Sequence, residues 1–224
     1  MTGCVDLTTE DIVIVGGGGL GTGFFRKHLE PLKRKDRPYK LIAWGVGVDN
    51  ISDITKILDP QKEYELFGDW FDGFDEVGTR CFSEEQKYRW VPCTSCLHPA
   101  FFEYRDKVPS KSTGIYEHKR VPLGGTMDNS GDSLEEKLEF LSDHEIIITN
   151  TYHGVYWATL LNRKVVCIPF KSGLFSFKHP PVYSDTIEVS DDILHDAKSY
   201  PDSLEECCMA NVEFYNYLFQ NYGI

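Results

Sequence analysis

The sequence predicts an α/β protein built from two Rossmann-like halves, each with its own parallel β-sheet. Two short runs rich in β-branched and apolar residues, 11–15 and 40–44, are each followed by glycines. Such runs are typical of strands that are buried in a parallel sheet. The alternation of strand and helix patterns begins again at Thr113. A chain of 224 residues has the length for one large or two compact α/β domains.

The first half is predicted to run strand, glycine-rich turn, helix, strand. Residues 24–35 carry apolar side chains at helical spacing, and Pro31 within them is expected to kink or shorten the helix. Residues 74–79 and 88–91 have the pattern of two more short strands. This order of elements is the signature of a parallel sheet.

The second half repeats the pattern and ends in a helix. Asp132 or Ser133 is a suitable cap for a helix that runs to about Leu141. The other predicted elements are strands over 113–118, 145–149 and 164–169 and helices over 153–161 and 201–219. The last of these helices is amphipathic.

The best candidate for a linker is Lys-Val-Pro-Ser-Lys-Ser at residues 107–112. We therefore predict an N-terminal Rossmann-like domain over residues 1–108. A C-terminal Rossmann-like domain is predicted over residues 113–224, including the terminal helix.

Composition excludes several classes of function. The formal net charge of −12 disfavours nucleic-acid binding as a main role. No stretch approaches the roughly 20 apolar residues that span a bilayer, and the first ten residues do not resemble a secretory signal. Seven cysteines without an export signal indicate reduced thiols rather than a disulfide framework. A cytoplasmic location is expected.

A glycine-rich loop occupies residues 16–23 and contains a formal Gly-x-Gly-x-x-Gly match. A dinucleotide site would also need an acidic residue at the end of the second strand, and none occurs before Asp49. We therefore predict no cofactor. Glycines let backbone amides approach an anion, so Gly17, Gly18 and Gly19 are candidates for contact with phosphate or sugar. Tight packing of the turn is the alternative.

The turn Thr-Asn-Thr-Tyr-His-Gly at residues 149–154 is the most informative segment. It follows a strand with three consecutive isoleucines and opens a helix, so it should lie at the ligand-binding edge of the sheet. His153 is the candidate general acid or base because imidazole exchanges protons near neutral pH. Asn150, Thr151 and Gly154 are candidate substrate-binding residues beside the helix N-terminus. A cap or a bond to a neighbouring carbonyl is the alternative role for His153.

Several motifs, taken together, resemble the polysaccharide pyruvyl transferase family. They are Ile-Val-Gly-Gly-Gly-Gly at 14–19, Trp-Gly-Val-Gly at 44–47, Val-Gly-Thr-Arg at 77–80, Ile-Ile-Thr-Asn-Thr-Tyr-His-Gly at 147–154 and Ala-Thr-Leu-Leu-Asn-Arg-Lys-Val-Val at 158–166. The resemblance covers about residues 11–169.

This resemblance implies a short version of the two-domain fold of B-type glycosyltransferases. It also implies transfer of a pyruvyl group from phosphoenolpyruvate to a saccharide acceptor as a ketal, in exopolysaccharide biosynthesis. His153 lies at the position of the family's catalytic histidine. Arg80 aligns with an arginine near the domain cleft, although a structural ion pair is an alternative role for it. Thr151 stands where the family often has an arginine that holds the donor carboxylate.

Two other functions remain open at this point. One is a B-type glycosyltransferase that uses a nucleotide sugar. The other is a non-catalytic relative that binds sugar or phosphate, which the threonine at position 151 would favour.

Additional cations are predicted near the same edge. His118 and Lys119 end the first strand of the second half and are candidates for substrate binding. Lys171 is a third candidate, in a loop that continues to Lys178 and His179 with phenylalanines interleaved. This loop could cover the cleft and stack on a sugar ring, or pack at the domain interface.

Cys93 and Cys96 have the spacing of half a zinc site. Cys81 is the only nearby candidate for another cysteine ligand, and the chain has no second pair with that spacing. We therefore predict no metal and expect thiols that serve in packing.

Overall fold

The computed structural model describes residues 7–48, 53–64, 68–131 and 133–224 and contains two parallel β-sheets. The first sheet has four strands: β1 (Ile12–Gly16), β2 (Lys40–Val46), β3 (Glu76–Thr79) and β4 (Arg89–Trp90). The second has five: β5 (Lys111–Glu117), β6 (Met127–Asp128), β7 (His144–Thr149), β8 (Lys164–Cys167) and β9 (Val182–Tyr183). The α/β class with two parallel sheets is therefore confirmed.

Six α-helices connect and cover these strands within the described residues. They are α1 (Gly23–Leu29), α2 (Ala100–Arg105), α3 (Leu134–Ser142), α4 (Tyr152–Leu160), α5 (Asp191–Asp196) and α6 (Ser203–Tyr222). Ser133 caps α3 by accepting a hydrogen bond from the Glu136 amide at 3.1 Å. Pro31 lies in a 3₁₀ turn, Glu30–Lys33, that follows α1, because proline cannot continue an α-helix from within. No helix in the described part of the chain is both long and apolar enough to cross a membrane.

The two sheets differ in strand order. The first follows the chain, β1-β2-β3-β4, whereas the second runs β6-β5-β7-β8-β9. In the second sheet the chain first moves outward from β5 to β6 and then returns to place β7 on the other side of β5. This is the order of a flavodoxin-like sheet, and it creates a switch point between β5 and β7.

The largest hydrophobic cluster lies in the second half and includes residues from the segment before the predicted linker. Cys96, Ala100 and Phe101 pack in the same cluster as Leu138 and Ile147. The buried Arg163 side chain also donates a hydrogen bond to the Arg105 carbonyl. Residues 93–105 therefore pack with the second sheet, while the division into domains at 108 and 113 stays a prediction.

Helix α6 contacts both halves. Its Leu204 and Cys207 belong to the large cluster of the second half. Further along, Phe214 packs with Ile42 of β2, and Asn211 accepts a hydrogen bond from the Trp44 indole at 2.9 Å. The helix α6 therefore packs against both halves and connects them.

Candidate functional site

The switch point between β5 and β7 is held by one buried amide. Asn150 follows β7 and is only 1% exposed. Its Oδ1 accepts a hydrogen bond from the His118 backbone N–H, and its Nδ2 donates to the Val121 carbonyl, both at 2.7 Å. Asn150 thus fixes the loop after β5 against β7, and ligand contact through its side chain stays a prediction.

The start of α4 is closed by its own side chains. The Thr151 hydroxyl accepts a hydrogen bond from the Gly154 amide at 2.7 Å and lies 3.2 Å from the Thr149 hydroxyl. A Cβ on Gly154 would lie 2.1 Å from that Thr149 hydroxyl, so only glycine fits. Thr151 and Gly154 therefore shape the turn, and their contact with substrate stays a prediction.

His153 is half-buried and its ring is fixed from three directions. It packs on Trp157, one helical turn later, with 4.6 Å between ring centroids, and it meets the Tyr152 ring edge-on at 5.5 Å. Its Nε2 lies 3.7 Å from the Cys93 sulfur. This geometry holds a half-buried imidazole beside a thiol, and a role for His153 in proton transfer stays a prediction.

Arg80 joins the two halves at the same turn. It follows β3 and is 4% exposed, and its guanidinium carbon lies 3.6 Å from the centre of the Tyr152 ring. A Cβ on Gly47 would lie 2.0 Å from the Arg80 Nε, so a glycine at 47 is needed for this position. Burial raises the pKa of the Tyr152 phenol well above its usual value, against the opposing effect of Arg80. The ring therefore stays neutral beneath a fixed cation.

The glycine-rich loop packs against the chain after β2 at one of its glycines. Gly21 packs, because a Cβ there would lie 2.3 Å from a methyl carbon of Val48. Gly17 and Gly18 have φ of +74° and +61°, and no atom lies within 4 Å of where their Cβ atoms would be. Gly19 accepts a hydrogen bond from the Thr22 amide. The Gly17 amide donates to the Trp44 carbonyl and the Gly18 carbonyl accepts from the Gly47 amide, and contact of these glycines with a ligand stays a prediction.

The remaining predicted cations fall into different environments. His118 and Lys171 both contact Phe170, with ring centroids 5.3 Å apart for His118 and the Lys171 ammonium 5.9 Å from the ring centre. Lys119 is exposed, and its amide donates to the Asn129 side chain. His118 and Lys171 therefore lie together at the carboxyl edge of the second sheet, next to the Asn150 turn.

Lys178 and His179 are tied to α6. The Lys178 ammonium and the His179 Nε2 lie 2.8 and 2.9 Å from the same carboxylate oxygen of Glu206. Burial lowers the pKa of His179, and the nearby Glu206 carboxylate opposes this effect. The loop that carries both residues is therefore anchored at the interface of the halves.

Among the cavities in the described part of the chain, two that adjoin the contact between the halves lie close to residues of this site or of the loop after β8. One, lined by Arg80, Tyr152 and Phe177, measures about 20 Å³, which is room for roughly one water. The other measures about 470 Å³ and is lined by Ser83 and Ser176, whose hydroxyls are 2.6 Å apart, and by the stacked rings of Tyr64 and Phe175. The second cavity is large enough for a small ligand.

No metal site is formed by the described part of the chain, where no three His, Cys, Asp or Glu side chains are grouped to hold an ion.

Two residues of this site are not among those that the sequence predicts to bind substrate or act in catalysis. The sequence presents Cys93 only as a metal ligand or packing thiol, and it predicts no role for Tyr152. Tyr152 had a signal in its position beside His153 in a turn at the ligand edge. Cys93 had none, because only the fold brings it to His153.

No protein-family model matches the chain, and no curated protein or solved structure is significantly similar to it.

Proposed function

We propose that the chain is a pyruvyl transferase-like enzyme that acts where the two sheets meet, with a fold of the glycosyltransferase-B type. The observation that carries this proposal is that Arg80 of the first half and His153 of the second both contact the Tyr152 ring. A fixed cation and an imidazole are thereby held on opposite elements around one residue. Such a pair suits a reaction in which an anionic donor is bound and a proton is moved.

The reaction proposed is ketal formation from phosphoenolpyruvate. A saccharide hydroxyl adds to C2 of the enol, C3 takes up a proton, and a second hydroxyl replaces the phosphate, which leaves. His153 would transfer protons in these steps, and Arg80 would stabilise the phosphate or carboxylate. His118 and Lys171 would contribute further positive charge from the carboxyl edge of the second sheet.

The larger cavity is the proposed acceptor site. Saccharides are bound through hydroxyl hydrogen bonds and through stacking on aromatic rings, and both kinds of group line this cavity. Ser83 and Ser176 supply the hydroxyls, and Tyr64 and Phe175 supply the rings. The cavity joins residues that follow β3 and β8, so it lies at the carboxyl edges where both sheets would present a substrate.

Donor binding can be tested by thermal shift. Phosphoenolpyruvate should raise the Tm of the wild-type protein, since a ligand at 100 times its Kd stabilises the native state by about 2.7 kcal/mol. Arg80→Gln should abolish the shift. Arg89→Gln is the matched control, because Arg89 also stacks on a tyrosine, with its guanidinium carbon 4.0 Å from the Tyr217 ring centre. An equal shift in both variants would contradict the role of Arg80.

The chemical step is tested with His153→Asn. This variant should keep the phosphoenolpyruvate shift and lose phosphate release in the presence of saccharide acceptors. Stabilisation by a nucleotide sugar alone would instead support the B-type glycosyltransferase alternative.

A non-catalytic sugar- or phosphate-binding relative is the second candidate, and one observation favours it. Thr151 replaces the arginine expected from the resemblance, is 3% exposed and is engaged as the cap of α4. If the protein binds phosphoenolpyruvate or a saccharide but releases no phosphate with any acceptor tested, that result would support a non-catalytic binding protein.

A further inference from the structure

Cys93 and Cys96 lie at the two ends of one tight turn. The Cys96 amide donates a hydrogen bond to the Cys93 carbonyl at 3.4 Å, and Cys93 immediately precedes the 3₁₀ helix Thr94–Leu97. The ends of such a four-residue turn are closer than about 7 Å between Cα atoms. A disulfide requires Cα atoms about 4.4–6.8 Å apart, so the backbone of this turn is compatible with a bond between the two sulfurs.

The two thiols have unequal environments. Cys93 is half-buried, its sulfur accepts a hydrogen bond from the Ser95 hydroxyl at 3.3 Å, and the His153 Nε2 lies 3.7 Å away. Cys96 is fully buried, and that burial raises the pKa of its thiol to about 12. An imidazole within reach of a sulfur can take up the thiol proton when that sulfur attacks a disulfide. Cys93 therefore has the surroundings of an attacking thiol, and Cys96 those of a buried partner.

We propose that Cys93 and Cys96 form a redox-active dithiol that exchanges with small-molecule disulfides such as glutathione disulfide. The Cys93 thiolate attacks one sulfur of the disulfide, whose S–S bond breaks and releases one thiolate. The Cys96 thiol then loses its proton and attacks the Cys93 sulfur, which releases the second thiolate. The released thiolates take up the protons that the two cysteines lost, so the dithiol is oxidised and the small disulfide is reduced to two thiols.

The exchange would alter the surroundings of His153. Formation of the Cys93–Cys96 bond would remove the thiol hydrogen of Cys93 and so change the contact between its sulfur and the His153 Nε2, which lies 3.7 Å away. The surroundings of the His153 imidazole would therefore differ between the dithiol and the disulfide forms, whatever reaction that residue serves. The dithiol itself requires no donor or acceptor, so its test is independent of the transferase proposal.

The first experiment is disulfide mapping of the full chain after incubation with glutathione disulfide. Cleavage after arginine and lysine places Cys93 and Cys96 together on residues 90–105, and Cys207 and Cys208 on residues 199–224. We expect peptide 90–105 to carry an internal disulfide. A bond that joins the two peptides would overturn the proposal, and so would the absence of any disulfide in 90–105. Such a cross-link is a real competitor, because the Cys208 thiol donates to the Cys96 carbonyl at 3.3 Å.

Variants separate the roles of the two thiols. Cys96→Ala should trap glutathione on Cys93 as a mixed disulfide, since the second attack is lost. Cys93→Ala should leave Cys96 unmodified, because that thiol is buried. Cys208→Ala is the matched control and should form the internal disulfide as the wild type does. Modification of Cys96 in the absence of Cys93 would overturn the assignment of the attacking thiol.

A kinetic measurement tests the contribution of His153. In the Cys96→Ala background, His153→Asn should slow alkylation of Cys93 by iodoacetamide on the order of tenfold at neutral pH, because the imidazole 3.7 Å from the sulfur that can take up the thiol proton is lost. The Tm of each variant establishes that it is folded. An unchanged rate in folded protein would show that His153 does not activate Cys93 and would overturn that part of the proposal.

Discussion

Helices α1 and α4 each follow a turn at the end of a parallel strand, yet their burial is opposite. No residue of α1 is buried, and Phe24 is 66% exposed. In α4, seven of nine residues are buried. The first turn has open space where Cβ atoms of Gly17 and Gly18 would lie, whereas the second is filled by its own hydroxyls and tyrosine rings. The comparison shows that α4 is packed into the core of the second half, whereas α1 lies at the surface of the first.

This difference bears on local stability. Segments with few buried contacts open at a low free-energy cost, so α1 should open more readily than α4. A densely packed turn instead holds side chains in place, as the α4 turn does for His153 and Tyr152. Helix α6 connects the two, because its Asn211 and Phe214 contact the first sheet while Leu204 packs in the second half.

The largest expected effect comes from the core of the second half. Phe101→Ala removes a ring that is completely buried in the main cluster and should lower the free energy of unfolding by about 3–5 kcal/mol. Phe24→Ala in α1 should change it by less than about 0.5 kcal/mol. Denaturant unfolding of both variants provides the comparison. Similar losses would contradict the unequal packing of the halves.

Loss of the hydrogen bond between Asn211 of α6 and Trp44 of β2 should lower the free energy of unfolding by a smaller amount. Asn211→Ala leaves the Trp44 indole N–H without its side-chain partner and should cost about 1–3 kcal/mol. The exposed Asn216 of the same helix is the matched control, and its alanine variant should lie within about 0.5 kcal/mol of wild type. Chemical denaturation followed by tryptophan fluorescence measures both. Equal unfolding free energies for the Asn211 and Asn216 variants would show that the contact of α6 with the first sheet does not depend on this hydrogen bond.

A pair of glycines sharpens the comparison between the two turns. Gly154→Ala places a methyl group against the Thr149 and Thr151 hydroxyls and should cost about 1–3 kcal/mol through overpacking. Gly23→Ala, at the start of α1, meets no atom within 4 Å and should be neutral or stabilising by up to about 1 kcal/mol. The Tm values of the two variants, compared with that of the wild type, test both expectations. Destabilisation by Gly23→Ala would show that the start of α1 is more closely packed than the open space around Gly23 indicates.

The smallest effect concerns pH at the interface of the halves. Burial lowers the pKa of His179 from 6.5, so the unfolded chain takes up a proton at a higher pH than the folded chain does. The stability that His179 contributes is therefore present above about pH 6.5 and is lost as the pH falls through the lower folded-state pKa. The titration of Glu206, its partner, lies at lower pH because the Lys178 hydrogen bond lowers the pKa of that carboxyl.

His179→Gln should flatten the decline in stability just below pH 6.5. Unfolding free energies measured between pH 5 and pH 8, a range of about three units around the histidine pKa, provide the test. A decline of unchanged slope in the variant would assign the pH dependence to other groups.

Much of the fold was predictable because local patterns agree with the final structure. The isoleucine-rich strand appears as β7, the capped helix as α3 with Ser133 as its cap, and the terminal helix as α6. Some observed strand and helix boundaries differ from the predicted ones, because contacts distant in sequence extend or shorten an element. The strand predicted from Thr113 begins at Lys111, inside the predicted linker, because the amides of Ser110 and Lys111 bond to the Asp143 carbonyl at the end of α3. That contact is distant in sequence and leaves no local pattern.

The candidate site was predictable only in part. The turn at 149–154 lies at the switch point, as its position after a buried strand implied, and Arg80 does lie near it. No local pattern indicated that the Asn150 amide would bind the loop after β5. Nor did any indicate that Cys93 would lie beside His153. Residue type shows what a side chain can do, while its available partners depend on contacts between distant segments.

The sequence by itself determined the α/β class, the parallel strands and the location of the polar turn, because burial and backbone geometry leave periodic patterns in neighbouring residues. The tertiary structure alone decided which strand lies beside which, how Arg80 meets Tyr152 and how Cys93 meets His153. These contacts join residues separated by about 60–70 positions, where loop closure and packing rather than local preference select the neighbours.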